Sequence, residues 1–263
     1  CALPEADVHF LVGGTQANLT VIAAALRPHE GALCAQTGHI NVHETGAVEA
    51  TGHKVSALPT ENGRLTAAEI DACCAAHWAD ASFEHIPQPA MVYISHPAEN
   101  GSLYQRKDLE EIRKVCDKWN LPLFVDGARL GYGLASPGSD VTLQDLANLA
   151  DVFYIGGTKV GALFGEAVVI TNDSLKKDFR YMIKRQGGML AKGWLLGLQF
   201  DVLLEDDRYL KIAGKAVRQA LRIKEAFEKK GCGFLMESWT NQQFPILDNE
   251  TMHKFDGEFT YSV

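Results

Sequence analysis

Short apolar runs alternate with helical patterns along most of this chain. Runs rich in Val, Ile, Leu and Phe, the composition of buried strands, occur at residues 8–12, 32–35, 54–58, 91–95, 121–125, 152–155 and 167–171. Helical patterns lie between several of them, near residues 16–26, 42–51, 66–78 and 107–119. This alternation predicts an α/β fold in which a mostly parallel sheet is covered by helices on both faces.

Two of these helices are marked by specific signals. Thr66 is followed three residues later by Glu69, which is the spacing of a capping box at a helix start. In residues 107–119, apolar side chains recur every three or four positions, so one face of that helix is expected to be buried.

The pattern changes after residue 174. Long helical segments are predicted at residues 174–185 and 208–230, followed by short strands at 233–237 and 243–247. We expect residues 1–206 to form a large domain and residues 207–263 to begin a smaller C-terminal α+β domain. The chain starts at Cys1 rather than Met and ends abruptly, so we expect a fragment that lacks an N-terminal segment and most of the small domain.

Composition narrows the class of protein. The chain has 263 residues, 46% of them hydrophobic, which is ordinary for a globular protein with a sizeable core. Its net charge is -8 and it has no basic run, so neither nucleic acid nor an anionic membrane is an expected partner. No signal peptide is visible, and the cysteines lack CxxC spacing, which favours reduced thiols in a cytoplasmic enzyme without a metal site. The cysteines are Cys1, Cys34, Cys73, Cys74, Cys116 and Cys232.

Polar residues cluster where two predicted strands end. Asp126 and Arg129 end the segment LPLFVDGAR, residues 121–129. Thr158 and Lys159 end the segment DVFYIGGTK, residues 151–159. In parallel α/β sheets, ligands bind at the carboxyl ends of the strands. An acid, an arginine and a lysine at neighbouring strand ends predict an anion-binding, amine-bearing pocket suited to pyridoxal phosphate (PLP) and an amino acid.

Each residue of this group has an alternative interpretation. Burial and nearby cations would lower the pKa of the Lys159 amine so that it can form a Schiff base, whereas most lysines lie on the surface. Asp126 ends a buried strand and needs a partner, either the pyridinium nitrogen of PLP or a structural salt bridge to Arg129. Arg129 could instead hold a substrate carboxylate in a bidentate fork.

Two further features are weaker when taken alone. Gly13, Gly14 and Thr15 join a strand to a helix, where free amides favour a phosphate, or where Thr15 simply caps the helix. His39 precedes a helical segment, and its imidazole can stack on a cofactor ring or transfer protons, although single histidines are more often structural.

Five motifs in order carry a family resemblance: GGTQAN, GHINVHETG, VDGAR, TKVG and QGGMLAKG, between residues 13 and 193. Together they resemble the low-specificity L-threonine aldolase and aromatic amino acid β-eliminating lyase family. The resemblance covers residues 6–247 and implies the fold-type I, aspartate-aminotransferase-like fold. It also implies a PLP-dependent aldehyde-lyase that cleaves a β-hydroxy amino acid such as threonine into glycine and an aldehyde, in a homodimer or homotetramer with its site at the subunit interface.

The resemblance implies a role for each matching residue. Lys159 would bind PLP as a Schiff base, Asp126 would pair with the ring nitrogen, and Arg129 would bind the substrate carboxylate. Cofactor contacts are also implied for Gly14, Thr15, His39, Arg129 and Thr158. His39 would stack on the ring and help to deprotonate the substrate hydroxyl; the role of Glu44 is left open.

Departures from the family pattern keep other functions open. Glu99, assigned to substrate binding, stands where a histidine is common, and Leu190 stands where an arginine is usual, with Lys192 nearby as a replacement charge. An aminotransferase or a β-eliminating lyase is therefore one alternative. An inactive fragment used for association is a second, and a nucleotide-binding α/β protein is a third, although it lacks a phosphate fingerprint.

Overall fold

The computed structural model describes residues 3–259 as seven strands and eleven α-helices. The strands are β1 (Asp7–Leu11), β2 (Glu30–Ala35), β3 (Lys54–Leu58), β4 (Gln88–Ser95), β5 (Leu123–Asp126), β6 (Val152–Gly156) and β7 (Glu166–Ile170). The helices are α1 (Gly14–Ala25), α2 (His39–Val42), α3 (Ala67–Ala79), α4 (Arg106–Trp119), α5 (Leu130–Leu134), α6 (Leu143–Leu149), α7 (Asp173–Lys176), α8 (Phe179–Arg185), α9 (Trp194–Leu204), α10 (Arg208–Glu228) and α11 (Asn249–His253).

All seven strands form one sheet in the order β1-β7-β6-β5-β4-β2-β3. The pairs β2–β3, β2–β4, β4–β5 and β5–β6 are parallel, whereas β7 runs antiparallel to both β1 and β6. The predicted α/β class with a mostly parallel sheet is therefore confirmed. Because β7 is reversed, its first residue, Glu166, lies opposite Gly156 at the edge where the parallel strands end.

The core consists of two apolar layers, one on each face of the sheet. Successive side chains of β6 alternate between them: Phe153 and Ile155 join one layer, and Val152 and Tyr154 join the other. This follows from the two-residue period of a strand. Helices α3, α4 and α10 contribute to the first layer, and helices α1 and α8 contribute to the second.

Local sequence signals predicted some helices correctly and others incorrectly. The capping box of Thr66 and Glu69 is present, and further boxes begin α4 and α6. The continuous helix predicted at residues 42–51 is wrong, because Thr45 and Gly46 have φ angles of 53° and 73° and separate α2 from a short 3-10 helix at Glu49–Thr51. Similarly, Asp178 with a φ of 61° divides the helix predicted at residues 174–185 into α7 and α8.

The strands predicted at residues 233–237 and 243–247 are not formed. Phe234 and Pro245 make a single antiparallel bridge, and the surrounding residues are irregular. Tyr209, Ala213 and Val217 of α10 pack in the first core layer. The domain boundary after residue 206 stays a prediction.

Two other expectations concern the described residues as a whole. Within residues 3–259, no helix is both long and apolar enough to cross a lipid bilayer. Cys34, Cys73, Cys74, Cys116 and Cys232 all have free thiols, and Cys1 lies outside the described residues.

Candidate active site

Asp126, the last residue of β5, lies at the centre of a polar cluster and is 4% exposed. Its Oδ2 accepts hydrogen bonds from Asn18 Nδ2 at 3.0 Å and from the Tyr93 hydroxyl at 2.5 Å. Its Oδ1 accepts a hydrogen bond from the amide of Ala128 at 2.9 Å. These three donors satisfy the buried carboxylate, and the alternative of a salt bridge from Asp126 to Arg129 is therefore not what the structure contains.

Gly127, the glycine of VDGAR, is required for a steric reason. A Cβ atom at Gly127 would lie 1.8 Å from the carbonyl oxygen of Tyr154 in the neighbouring strand β6. Only a residue without a side chain permits this approach. The close contact brings the end of β5, with Asp126, against the end of β6, which leads to Lys159.

Lys159 lies in the turn that connects β6 to β7. The hydroxyl of Tyr132 donates a short hydrogen bond to the Lys159 carbonyl, which fixes the backbone of this turn. The side chain reaches solvent in the single chain. Nevertheless, desolvation by the surrounding protein and then the positive charge of Arg129 lower the pKa of the Lys159 amine, as expected for an amine that reacts with an aldehyde.

Arg129 is half-buried at the N-cap position of α5. Within residues 3–259, no hydrogen bond or ion pair occupies its guanidinium, while its charge acts on Lys159 and Tyr132. The guanidinium is therefore available for an anion beside the amine.

The start of α1 offers amides without a side-chain cap. Gly13 is the N-cap residue in extended conformation, and no side chain accepts from the first turn. The alternative in which Thr15 is the N-cap is wrong, since Thr15 lies in the first turn and is exposed. A twelve-residue helix with free N-terminal amides attracts a phosphate. Beside it, the buried hydroxyl of Tyr154 lies 3.0 Å from the Cβ position of Gly14 and interacts with Asp126.

His39 begins α2 and is oriented by an acid. Its Nδ1 lies 2.7 Å from Oε1 of Glu44, whose side chain is fully buried. This hydrogen bond is the main cause that raises the pKa of His39, against the opposing effect of burial. With Nδ1 bound to Glu44, Nε2 is the ring atom left to face a ligand.

Glu99 is anchored rather than free. Its Oε1 accepts hydrogen bonds from the amide of His39 at 2.9 Å and from Ser95 Oγ at 2.6 Å. Burial, followed by the charge of Asp126, raises its pKa. A direct role of Glu99 in substrate binding stays a prediction.

Thr158 and the segment that begins at Gln186 were also predicted to belong to the site. Thr158 is exposed, and its hydroxyl accepts a hydrogen bond from the amide of Gly165 at 3.0 Å, which closes the β6–β7 turn. Gln186 lies beside the start of α1, where its carbonyl accepts from Gln16 Nε2 at 3.4 Å. Leu190 and Lys192, four and six residues further, are exposed.

These groups fit PLP when the cofactor's requirements are compared with the residues present. PLP needs a phosphate site, an acid near the ring nitrogen and an amine for its aldehyde. The uncapped start of α1 matches the first requirement. Asp126 and Lys159 match the other two, and they lie at and just after the ends of the paired strands β5 and β6.

Four residues of this cluster were not predicted from the sequence. Tyr93 and Ser95 occupy alternate positions of β4, so the two-residue period could have placed both on one face. Asn18 lies four residues after Gly14, one helical turn along α1. Glu166 is a charged residue at the start of an otherwise apolar strand, which is an unusual composition for a fully buried β7.

Comparison with known proteins identifies the family. A model of the beta-eliminating lyase family matches residues 3–250. The chain belongs to this family. Over 227 residues it is 32% identical to the low specificity L-threonine aldolase of Pseudomonas aeruginosa, which covers 84% of this chain and 63% of that relative. Among solved structures, a Leishmania major threonine aldolase superposes with a TM-score of 0.95 at 45% identity, covering 99% of this chain and 75% of that one.

More distant structures bear on the fold alone. An aspartate aminotransferase of Thermus thermophilus superposes with a TM-score of 0.63 at 14% identity, covering 88% of this chain and 59% of that one. The expected aspartate-aminotransferase-like fold is therefore confirmed. The chain spans 63% and 61% of the length of the two curated Pseudomonas relatives that it matches.

Proposed function

We propose that this family member is a PLP-dependent aldehyde-lyase, which cleaves the Cα–Cβ bond of a β-hydroxy amino acid such as threonine to give glycine and an aldehyde. The observation that carries the proposal is Lys159, an amine with a lowered pKa at the same sheet edge as the buried Asp126. The relatives named threonine aldolase support the choice of reaction.

Different residues of this chain would bind different parts of the cofactor. The first-turn amides of α1, at Gly14 and Thr15, would bind the cofactor phosphate, with Thr158 at the opposite turn. Asp126, held by three donors, would accept a hydrogen bond from the ring nitrogen and keep that nitrogen protonated. Bound in this way, PLP supplies the electron sink for cleavage at the amino acid Cα.

Arg129 and His39 would act on the substrate. The free guanidinium of Arg129 presents two parallel N–H donors to a substrate carboxylate, which fixes the amino acid beside Lys159. Nε2 of His39 would take the proton of the β-hydroxyl, while Glu44 holds Nδ1 and stabilises the resulting imidazolium. His39 would also lie against the cofactor ring.

The test uses the full-length protein loaded with PLP. We expect threonine to yield glycine and acetaldehyde in equal amounts, and Lys159→Ala to lose both the products and the visible absorbance of the protein-bound cofactor. Lys107→Ala is the matched control, because Lys107 is exposed on α4, where its ion pair is with Glu111. Full activity and an unchanged absorbance band in Lys159→Ala would contradict the proposal.

β-Elimination is the second candidate reaction. It is favoured by Glu99, which occupies a position where threonine aldolases commonly have a histidine and which is bound to Ser95 and to the His39 amide. Ammonia and a keto acid would be its products. Measuring both product pairs from the same threonine, serine and cysteine incubations distinguishes elimination from aldol cleavage.

We also propose that the protein is a homodimer or homotetramer of the cytoplasm. Large apolar side chains are exposed on α9 and on the adjoining β6–β7 turn, which is unusual for a monomer surface. They include Leu163, Trp194, Leu195, Leu198, Val202 and Leu204. Sedimentation of the full-length protein with and without PLP tests the assembly, and its free thiols agree with a reducing compartment.

A further inference from the structure

Glu166 is a buried carboxyl group that the proposed reaction does not yet use. It is the first residue of β7, is 3% exposed, and pairs in register with Gly156 of β6. The other four residues of this strand are apolar and equally buried. A carboxylate in such a place is costly unless it has partners, so its presence requires an explanation.

The contacts of Glu166 connect it to the turn that carries Lys159. Its Oε2 accepts a hydrogen bond from the amide of Gly157 at 3.1 Å, and the same amide also donates to the carbonyl of Gly165 at 3.0 Å. Glu166 therefore lies against the backbone two residues before Lys159. None of the described Lys, Arg or His residues forms an ion pair with it, and Lys159 acts on it by charge without such a contact.

The charged surroundings of the two groups overlap. The groups that act electrostatically on Lys159 are Arg129, Asp126, Glu166, Glu99 and His39. Glu166 is affected by a hydrogen bond from Thr158 and by the charges of Asp126 and Lys159, and its own charge acts on Tyr154 and Tyr209. Each of the pair is thus part of the other's electrostatic environment.

We propose that Glu166 is a positioning residue that sets the proton affinity of Lys159, so that the two groups together hold one proton. This proposal rests on the proposed function, in which Lys159 is the lysine that binds the cofactor. The proton balance is simple: when the Lys159 ammonium releases a proton and the Glu166 carboxylate gains one, the net charge of the pair is unchanged. The linkage is electrostatic and does not require direct transfer between the two atoms.

Burial sets the pH range in which Glu166 can affect Lys159. Desolvation raises the pKa of Glu166 to about 7, while Lys159 has a lowered pKa. A protonated Glu166 no longer stabilises the ammonium, so Lys159 gives up its proton more readily. An ionised Glu166 has the opposite effect, and the reactive amine therefore responds to a second group that titrates near neutral pH.

The experiment measures Lys159 directly, without the cofactor. In PLP-free full-length protein, the amine is acetylated with a trace of acetic anhydride at a series of pH values, and the Lys159 peptide is quantified by mass spectrometry. In Glu166→Gln, where the amide oxygen can still accept from Gly157, the labelling midpoint of Lys159 is expected about one pH unit lower, because one opposite charge is lost. Glu111→Gln, an exposed change on α4, is expected to leave the midpoint at the native value.

An unchanged or higher midpoint in Glu166→Gln would overturn the proposal. If that variant does not fold, His39→Gln decides: with the imidazole removed, the labelling curve of Lys159 is still expected to contain a second inflection near pH 7, where Glu166 ionises, and a single-site curve contradicts the linkage. Labelling needs no cofactor, so its outcome is separate from that of the PLP absorbance test on Lys159→Ala.

Discussion

Asn18 Nδ2 donates a hydrogen bond to Asp126 Oδ2 at 3.0 Å, and the same nitrogen donates to Glu44 Oε1 at 2.7 Å. Glu44 in turn holds Nδ1 of His39 at 2.7 Å. One amide therefore separates two buried carboxylates and connects the histidine to the acid expected at the cofactor ring. Substitution of Asn18 or Glu44 should therefore affect both His39 and Asp126.

Asn18→Ala should destabilise the protein. The change leaves two buried carboxylates without a shared donor, and the expected loss in the free energy of unfolding is about 2 kcal/mol. Urea unfolding of the PLP-free protein measures it. Asn148→Ala, at an exposed position of α6, is the matched control and should unfold with the native midpoint. Equal midpoints for both variants would show that the amide contributes nothing to stability.

Glu44→Gln should lower the pKa of His39, because the hydrogen bond to Glu44 is the main cause that raises it. Titration of the His39 ring signals by NMR measures the change. Glu111→Gln, an exposed change on α4, is the matched control and should leave the His39 signals as they are in the native protein. A His39 midpoint that does not move in Glu44→Gln would contradict this role of the carboxylate.

The same pair should make stability depend on pH. A folded-state pKa above the unfolded value, about 6.5 for imidazole, stabilises the fold fully below that pH and loses its effect as the pH rises through the folded-state pKa. The difference in unfolding free energy between the native protein and Glu44→Gln should therefore be largest near pH 6 and decrease towards alkaline pH. Urea unfolding across this range measures it, and an increase in the difference at high pH would contradict the sign.

Gly14→Ala should weaken binding of PLP. A Cβ atom there would lie 3.0 Å from the hydroxyl of Tyr154, whose ring is fully buried and cannot easily move away. We expect about a tenfold higher Kd, or about 1.4 kcal/mol, by calorimetric titration. Gly13→Ala is the matched control, since no atom lies within 4 Å of its Cβ position. Equal Kd values for the two variants would exclude Gly14 from the phosphate site.

Gly127→Ala should prevent stable folding. The added methyl group would overlap with the carbonyl oxygen of Tyr154 at 1.8 Å, so β5 and β6 must separate. The expected loss is about 3 kcal/mol or more. Thermal unfolding monitored by circular dichroism measures it. Gly233→Ala provides the comparison, because its Cβ position is open and its φ is not positive, and it should leave Tm near the native value.

Strands were predicted better than helices, for a physical reason. The seven apolar runs correspond to the seven strands, because a strand buried on both faces has to be apolar at nearly every position. Helix α5 was missed because its five residues include Gly131 and Gly133, which are poor helix formers, and tertiary packing holds it in place. The false helix at residues 42–51 has helix-forming residues, yet the left-handed Thr45 and Gly46 interrupt it.

In the candidate site too, some residues could be predicted from the sequence and others could not. Asp126, Arg129 and Lys159 could be placed near one another because strand ends meet at one edge of a parallel sheet. Glu166 could not, since it begins its strand and reaches that edge only because β7 is antiparallel. Asn18 and Tyr93 were missed because their hydrogen bonds span 108 and 33 positions of the chain.

The sequence alone determined the α/β class and the group of acid, arginine and lysine, because strand burial and strand-end polarity are local properties of composition. Only the tertiary structure decided how the charges are shared. It satisfied Asp126 with Asn18 and Tyr93 instead of Arg129, left the Arg129 guanidinium free, and brought the buried Glu166 to the turn that carries Lys159. Hydrogen bonds and electrostatic interactions depend on distance in space, and residues far apart in the chain approach one another only when the sheet has formed.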